Sequence, residues 1–145
     1  MGKKCISIVV PMYNEQESLQ ILYRELNRVT REMGDYDFEY LFVNDGSKDA
    51  TLQKIRDLAA EDERVPYLSF SCNFGKEAAL LAGLSYAKGD YVTTMDADLQ
   101  DDINAMDAMI DRYHEGYDVV YGVRSERKTD TAFKRMTAEG FYRFM

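Results

Sequence analysis

The sequence predicts an α/β fold built on a mostly parallel sheet that helices cover on both faces. Short runs of apolar, β-branched residues alternate with longer stretches whose apolar residues recur every three or four positions. This alternation continues along most of the 145 residues, without an internal repeat or a linker. Strands separated by helices usually run parallel, and ligands of such sheets bind at the carboxyl ends of the strands. The turns that follow the strands are therefore where functional residues are expected.

The first unit is a strand at residues 6–11 followed by a helix that ends near Met33. The strand is predicted from the run Ile-Ser-Ile-Val-Val, which is rich in β-branched residues. Asn14 and Glu17 have the spacing of a variant capping box, so the helix is expected to open there. Its predicted apolar face consists of Leu19, Leu22, Tyr23, Leu26 and Val29.

The remaining elements repeat this order along the chain. Strands are predicted at residues 40–44, 67–71, 91–95 and 119–122, and helices at 51–60, 76–87 and 104–113. Glycine, aspartate, asparagine and serine, which favour turns, recur between these elements.

Charge and cysteine content exclude several classes of protein. A net charge of −8 argues against a nucleic-acid-binding surface, which needs an excess of lysine and arginine. Cys5 and Cys72 are isolated, so we expect reduced thiols of a cytoplasmic protein rather than a disulfide or a zinc site. No run of about 20 apolar residues is present, and the start lacks the apolar region of a signal peptide. The chain as given is expected neither to span a membrane nor to be exported.

The turn after the fourth strand carries the strongest chemical signal. In extended chain Asp96 and Asp98 point the same way, and two converging carboxylates suit Mg²⁺ or Mn²⁺. Gln100 continues the alternation as a third oxygen donor. The alternative is a solvated acidic loop whose Asp101 or Asp102 caps the next helix, and this motif alone leaves both open. An EF-hand is disfavoured because its glycine and final glutamate are absent.

Three other turns offer weaker candidates. Asp45 could accept a hydrogen bond from a nucleotide base, although aspartate before a helix is also an ordinary cap. Gly75 and Lys76 open a helix, so backbone amides and a cation could face a phosphate. Arg124 follows the last strand and could pair with a diphosphate, or it could be a surface arginine.

Together, five motifs resemble the family-2 glycosyltransferases in order and spacing. They are Val-Pro-Met-Tyr-Asn-Glu at 10–15, Val-Asn-Asp-Gly-Ser at 43–47 with Asp49 and Thr51, Asn-Phe-Gly-Lys at 73–76, Met-Asp-Ala-Asp-Leu-Gln-Asp at 95–101 and Tyr-Gly-Val-Arg at 121–124. The nearest likeness is to bactoprenol glucosyltransferases and to polyprenyl- or dolichyl-phosphate mannose synthases. One departure is that related chains continue the acidic motif with prolines, whereas Asp102-Ile103-Asn104 follows here.

The resemblance implies a three-layer α/β/α GT-A fold that binds a nucleotide-diphospho-sugar. It assigns the base and ribose to Pro11, Tyr13, Glu15 and Asp45. It assigns the metal, Mg²⁺ or Mn²⁺, to Asp96, Asp98 and Gln100. The catalytic set implied is Asp96, Asp98 and Arg124, with Arg124 on the diphosphate.

The resemblance also implies the reaction and the partners. An acceptor oxygen would displace a UDP or GDP leaving group with inversion at the anomeric carbon. The expected acceptor is a polyprenyl phosphate at the inner face of the plasma membrane, with a saccharide as the alternative. Residues 1–123 would bind the nucleotide sugar. Residues 124–145 would begin an amphipathic helix that faces the acceptor or the membrane, and family members usually continue further, so the chain is expected to be truncated.

The residues alone leave three other functions to consider. The chain could bind a nucleotide sugar without transferring it. A response-regulator-like domain would need an acidic pair after the first strand, and only Glu15 is there. A nucleotidyltransferase would need a glycine-rich, arginine-bearing loop at the same place.

Overall fold

In a computed structural model of the chain, residues 2–123 are described. They divide into two compact units, one up to Asp107 and one from Ala108 onward. The predictions for Arg124 and for residues 124–145 lie outside the described residues. The division of the chain at residue 123 therefore stays a prediction.

Four strands and four helices alternate along the described residues. The strands are β1 (Lys4–Met12), β2 (Tyr36–Asn44), β3 (Tyr67–Ser69) and β4 (Tyr91–Thr94). The helices are α1 (Leu19–Glu32), α2 (Thr51–Glu61), α3 (Lys76–Tyr86) and α4 (Ala105–His114). The strands form one sheet in the order β3-β2-β1-β4, and every neighbouring pair is parallel. The predicted parallel α/β sheet is confirmed.

The register brings the carboxyl ends of the strands to one edge. Met12, the last residue of β1, pairs with Asn44, the last residue of β2. Asn44 pairs in turn with Ser69 at the end of β3, and Val9 of β1 pairs with Thr94 at the end of β4. The turns that follow all four strands therefore leave the sheet at the same edge.

Residues that alternate along the strands pack against different helices. Val9, Leu41 and Val43 form a buried cluster with Ala79 of α3. The intervening Tyr40 points to the other face, where its hydroxyl lies 2.6 Å from the Thr30 hydroxyl of α1. Successive side chains of a strand point to opposite faces, so α3 covers one face and α1 the other. α2 packs beside α1, which completes three layers and confirms the predicted α/β/α arrangement.

The start of α1 differs from the prediction. The helix begins at Leu19 rather than at Asn14, and Ser18 precedes it without a side-chain cap. Asn14 instead has a φ of 52°, and its side-chain oxygen accepts a hydrogen bond from the amide of Lys48 in another turn. The capping-box interpretation was therefore wrong, because Asn14 stabilises a contact between two turns rather than a helix end.

The fifth predicted strand is also wrong within the described residues. Residues 119–122 carry no strand assignment, and Val119 and Tyr121 are 78% and 79% exposed. Consecutive β-branched and aromatic residues give this segment β propensity, but a strand forms only where a neighbour supplies the hydrogen-bonded ladder. The other predicted elements are present, with ends displaced by a few residues.

Cys5 and Cys72 both have free thiols. Across residues 2–123, every helix is too short or too polar to cross a membrane.

Candidate functional site

A cavity of about 210 Å³ opens at the carboxyl edge of the sheet. Its lining comes from the turns after β1, β2 and β4 and from the first residue of α3: Pro11, Met12, Tyr13, Glu15, Asp45, Lys76, Asp96, Ala97 and Asp98. The sequence assigned seven of these nine residues to the nucleotide, the phosphate or the metal, and the other two are Met12 and Ala97. Gln100 lies outside this lining, and Arg124 lies outside the described residues.

Reciprocal hydrogen bonds join the turns after β1 and β2. The amide of Asn14 donates to the Ser47 hydroxyl at 3.0 Å, and its side chain accepts from the amide of Lys48 at 2.9 Å. The amide of Glu15 donates to the Thr51 hydroxyl at 2.9 Å. Side-chain oxygens of Asn14 and Thr51 thus satisfy amides that turns leave unpaired. The result is a fixed backbone for Tyr13 and Glu15, which line the cavity.

Gln16 and Asp49 add to this junction. The Gln16 side-chain oxygen accepts from the amide of Ala50 at 3.0 Å, and its backbone oxygen accepts from the Lys54 ammonium at 2.7 Å. Asp49 accepts from the amide of Thr51 at 2.9 Å. We call residues 13–18 and 45–51 the joined turns.

Asp45 binds the backbone that leads into α3. Its carboxylate is buried, at 3% exposure for the residue, and accepts from the amides of Phe74 at 2.7 Å and Gly75 at 3.1 Å. Next to it, Gly46 has a φ of 66°, and a Cβ there would overlap the backbone of Cys72. Only glycine permits this close approach, so the turn after β2 and the segment before α3 are locked together.

Among the nine residues that line the cavity, Lys76 carries the positive charge. Its Nζ lies 2.5 Å from Oδ1 of Asp96, and both side chains are roughly half exposed. The hydrogen bond to Asp96, with the further negative charge of Asp101 and Asp98, raises the pKa of Lys76. The ammonium group therefore stays charged near neutral pH.

The acidic turn is compact rather than extended. Asp98 accepts the amide of Gln100 at 3.1 Å, and Asp101 accepts the amide of Asp96 at 2.9 Å. Leu99 between them has a φ of 63°. The chain therefore departs from the predicted extended conformation at Leu99, although Asp96 and Asp98 line the same cavity. Asp102 accepts the amide of Asn104 at 3.1 Å. Asn104 precedes α4, so this bond belongs to the turn ahead of the helix, and the helix-cap alternative stays a prediction.

The donor set fits a hard divalent cation that keeps most of its coordination sites for other ligands. Asp96 and Asp98 supply carboxylate oxygens, the ligands that Mg²⁺ and Mn²⁺ prefer. Within residues 2–123, no group of three or more histidine, cysteine, aspartate or glutamate side chains has the arrangement of a metal cage. A cation bound here would therefore depend on two carboxylates, water and the oxygens of a phosphate ligand.

Sequence reasoning missed the residues that position this site. Asp101, Gln16 and Ser47 hold the backbone around the cavity without lining it. Their residue types signal local turn bonds, but the partner in another turn is fixed only by the tertiary fold. The close approach at Gly46 has no sequence signal beyond glycine in a turn.

Sequence comparisons identify the family. The profile described as glycosyl transferase family 2 matches residues 7–144. The chain is 48% identical over 138 residues to the bactoprenol glucosyl transferase of Shigella phage SfV, covering 95% of this chain and 45% of that protein. A prophage bactoprenol glucosyl transferase homolog of Escherichia coli K12 has the same identity and coverage. The chain thus spans less than half the length of these relatives.

The fold likeness extends to solved structures. A crystal structure of S. aureus TarS, residues 1-349, superimposes with a TM-score of 0.60 at 25% identity. The match covers 75% of this chain and 33% of that one. The predicted GT-A fold is confirmed by this likeness and by the parallel sheet. With its profile match from residue 7 to residue 144, the chain belongs to glycosyl transferase family 2.

Proposed function

We propose that the cavity binds the donor of an inverting glycosyl transfer, a sugar linked to UDP or GDP. The observation that supports this most strongly is convergence. Seven residues chosen from four separate motifs line a single cavity at the carboxyl edge of the sheet. The parallel topology alone brings these turns to one edge, so the support comes from the side chains that they present to the cavity: two carboxylates and a lysine suited to a metal and a diphosphate, and a tyrosine ring suited to a nucleoside.

The nucleoside belongs, in this proposal, at the joined turns. Tyr13 offers a partly exposed aromatic ring, and a ring of this kind can pack against a base or ribose. Glu15 offers a carboxylate whose orientation the Ser18 hydroxyl fixes at 2.7 Å. Asp45 can accept one further hydrogen bond from a base N–H, because each carboxylate oxygen accepts more than one.

The diphosphate lies, in this proposal, between Lys76 and the carboxylates of Asp96 and Asp98. These carboxylates would hold Mg²⁺ or Mn²⁺, which neutralises charge on a leaving nucleoside diphosphate when bound. Lys76 contributes a second positive charge to the same oxygens. Gln100 and Arg124 retain the roles that the sequence suggests, as a further oxygen donor and a diphosphate partner.

A polyprenyl phosphate is the acceptor that we favour. The two relatives at 48% identity are named for bactoprenol glucosyl transfer. A phosphate acceptor is already ionised near neutral pH, so its oxygen can attack the anomeric carbon without a protein general base. Such a reaction would take place at the cytoplasmic face of the membrane. A saccharide acceptor is the alternative, and it would require a carboxylate base.

Donor binding without transfer is the second candidate for this chain by itself. The chain covers 45% of the length of those relatives. The described cavity contains residues suited to the donor, whereas residues that would contact an acceptor are not marked by any motif.

Calorimetric titration tests the donor site. UDP, GDP, UDP-glucose and GDP-mannose are titrated with and without Mn²⁺ into the wild type, Asp98→Ala and Asp57→Ala. We expect one nucleotide to bind only with Mn²⁺, and Asp98→Ala to weaken it by at least about tenfold. Asp57, an exposed residue of α2, serves as the control for loss of one negative charge.

Two outcomes would contradict the proposal. Folded wild-type protein that binds none of the four ligands has no donor site, and equal weakening by both substitutions would indicate a general charge effect.

Transfer is then tested by mixing the chain with the bound sugar nucleotide, Mn²⁺ and a polyprenyl phosphate. A glycosylated lipid supports the enzyme, and donor binding without product supports the binding module.

A further inference from the structure

Lys76 and Asp96 form an ion pair inside the cavity where the proposed function needs both residues for other ligands. Nζ of Lys76 lies 2.5 Å from Oδ1 of Asp96, and the two side chains are 53% and 42% exposed. An ion pair this exposed to water contributes little free energy, so its members can change partners easily. The pair is therefore suited to exchange rather than to holding the fold together.

The backbone on both sides of this pair is fixed. Lys76 begins α3 directly after Gly75, whose amide donates to the buried Asp45. The amide of Asp96 donates to Asp101 at 2.9 Å. Since both backbones are held, a change of partner is a motion of side chains, and the four-carbon stem of Lys76 is the more flexible of the two.

A divalent cation at Asp96 and Asp98 meets this ammonium group as a competitor. Metal coordination requires the carboxylate oxygens themselves, and Oδ1 of Asp96 is already the acceptor for Lys76. The ammonium carries the positive charge that a diphosphate also attracts. A donor entering the cavity thus offers Lys76 a second anionic partner within the same lining.

We propose that Lys76 competes with the divalent cation for Asp96, and that the donor's diphosphate draws Lys76 away so that metal and nucleotide bind cooperatively. This rests on the proposed donor site. Lys76 then weakens metal binding in the absence of nucleotide and strengthens nucleotide binding in the presence of metal. A lysine that served only as a phosphate ligand would produce the second effect without the first.

The substitution Lys76→Met separates these roles because it removes the charge and retains much of the stem. Lys88→Met is the matched control, since Lys88 is an exposed residue outside the cavity lining and loses the same charge. Lys76→Arg retains the positive charge at the site. The affinity for Mn²⁺ without nucleotide is measured from the electron paramagnetic resonance signal of free Mn²⁺. The affinity for UDP or GDP at saturating Mn²⁺ is measured by calorimetry.

We expect Lys76→Met to bind Mn²⁺ about three- to fivefold more tightly than Lys88→Met, which is the scale of an exposed ion pair. Nucleotide at saturating Mn²⁺ should bind to Lys76→Met about tenfold more weakly. Lys76→Arg should bind Mn²⁺ within about twofold of the wild type. Circular dichroism checks that each variant is folded.

Mn²⁺ affinity of Lys76→Met equal to or below that of Lys88→Met would overturn the inference, as would the absence of Mn²⁺ binding in every variant. This failure is distinguishable from failure of the donor site. Wild-type protein that binds nucleotide and Mn²⁺ while Lys76→Met shows no gain in Mn²⁺ affinity would sink the competition alone. Wild type that binds no nucleotide would sink the donor site as well.

Discussion

The buried carboxylate of Asp45 accepts two backbone amides in addition to the nucleoside contact proposed for it. The sequence pattern suggested an acceptor for a base, and the described contacts are with the amides of Phe74 and Gly75. Those amides precede Lys76, the first residue of α3. Asp45 therefore lies between the proposed nucleoside site and the residue proposed to bind the diphosphate.

Substitution of Asp45 by asparagine tests this double role. An amide has one oxygen and one nitrogen, so it would keep one backbone hydrogen bond and turn an N–H towards the other amide. We expect the free energy of unfolding to fall by about 1–3 kcal/mol, together with weaker nucleotide binding. Urea unfolding and calorimetry measure the two effects. Unchanged stability with lost binding would mean that Asp45 serves the ligand alone.

A glycine, Gly83, allows helix α3 to pack closely against the sheet. A Cβ at Gly83 would overlap Cγ1 of Val9 in β1 and lie 3.3 Å from Cγ2 of Val43 in β2. Glycine within a helix costs about 1 kcal/mol relative to alanine. The close approach of α3 to β1 and β2 is the structural reason for accepting that cost.

Gly83→Ala should therefore destabilise the protein by about 1–3 kcal/mol, in spite of the gain in helix propensity. Removing bulk from the partner should restore part of the loss, so Gly83→Ala with Val9→Ala should be less destabilised than the sum of the single changes. Chemical unfolding of the four proteins completes a double-mutant cycle. Additive effects would show that α3 does not rest on Val9 at this point.

A second contact between elements depends on pH. Asp62, which follows α2, accepts Arg64 at 2.6 Å and the hydroxyl of Tyr23 in α1 at 2.7 Å. The Arg64 guanidinium, aided by Tyr23, lowers the pKa of Asp62 from 3.8 to about 2. A carboxyl with a lowered pKa in the fold stabilises it while ionised. This stabilisation is complete above the unfolded value and is lost as the pH falls towards about 2.

Asp62→Asn should remove this part of the pH dependence. Between about pH 4 and pH 2 the wild type should lose about 1–2 kcal/mol more stability than the variant, after allowance for the partial exposure of Arg64. Above pH 5 the difference between the two proteins should be constant. Urea unfolding at each pH measures it, with Asp57→Asn as the control for a carboxylate without this pair. Parallel curves for Asp62→Asn and wild type would refute the assignment.

The elements were more predictable than their ends and contacts. β-branched runs and three-to-four spacing identified β1 to β4 and α1 to α4, because burial against the opposing layer imposes those periods. Asn14 and Glu17 misled because an asparagine that joins two turns has the same local pattern as one that caps a helix. Residues 119–122 misled because β propensity does not supply a neighbouring strand.

For the candidate site, too, the general location was predictable from the sequence and the individual contacts were not. Parallel strands end at one edge, so Glu15, Asp45 and Asp98 could be grouped from sequence although they are far apart in the chain. The pair of Lys76 with Asp96 and the hold of Asp45 on Gly75 could not be foreseen. Both depend on angstrom-scale placement of turns, for which residue type is a weak guide.

The outer face of α3 is apolar and open in the part of the chain that the structure describes. Leu81 and Leu84 are 68% and 48% exposed, whereas Ala79 on the same helix is fully buried. Because exposed leucines contribute little to a fold, Leu81→Lys with Leu84→Lys should change the free energy of unfolding by less than about 0.5 kcal/mol each. Light scattering should show less self-association, since adjacent exposed apolar side chains promote it.

Ala79→Lys is the matched control for this surface change, because it places the same charge on the buried side of α3. It should unfold the protein or destabilise it severely. A comparable loss of stability in the double leucine variant would mean that the outer face is packed against another part of the chain.

The joined turns also limit how the proposed donor site could be redesigned. Asn14 and Gln16 in one turn bond Lys48 and Ala50 in the other, and Ser47 and Thr51 return the bonds. A turn transplanted alone from a related protein would leave amides unpaired on both sides. Exchange of residues 13–18 together with 45–51 preserves these bonds. Variants that test the proposed base preference should therefore exchange both segments and keep Asp45 and Gly46, which contact residues 72–75.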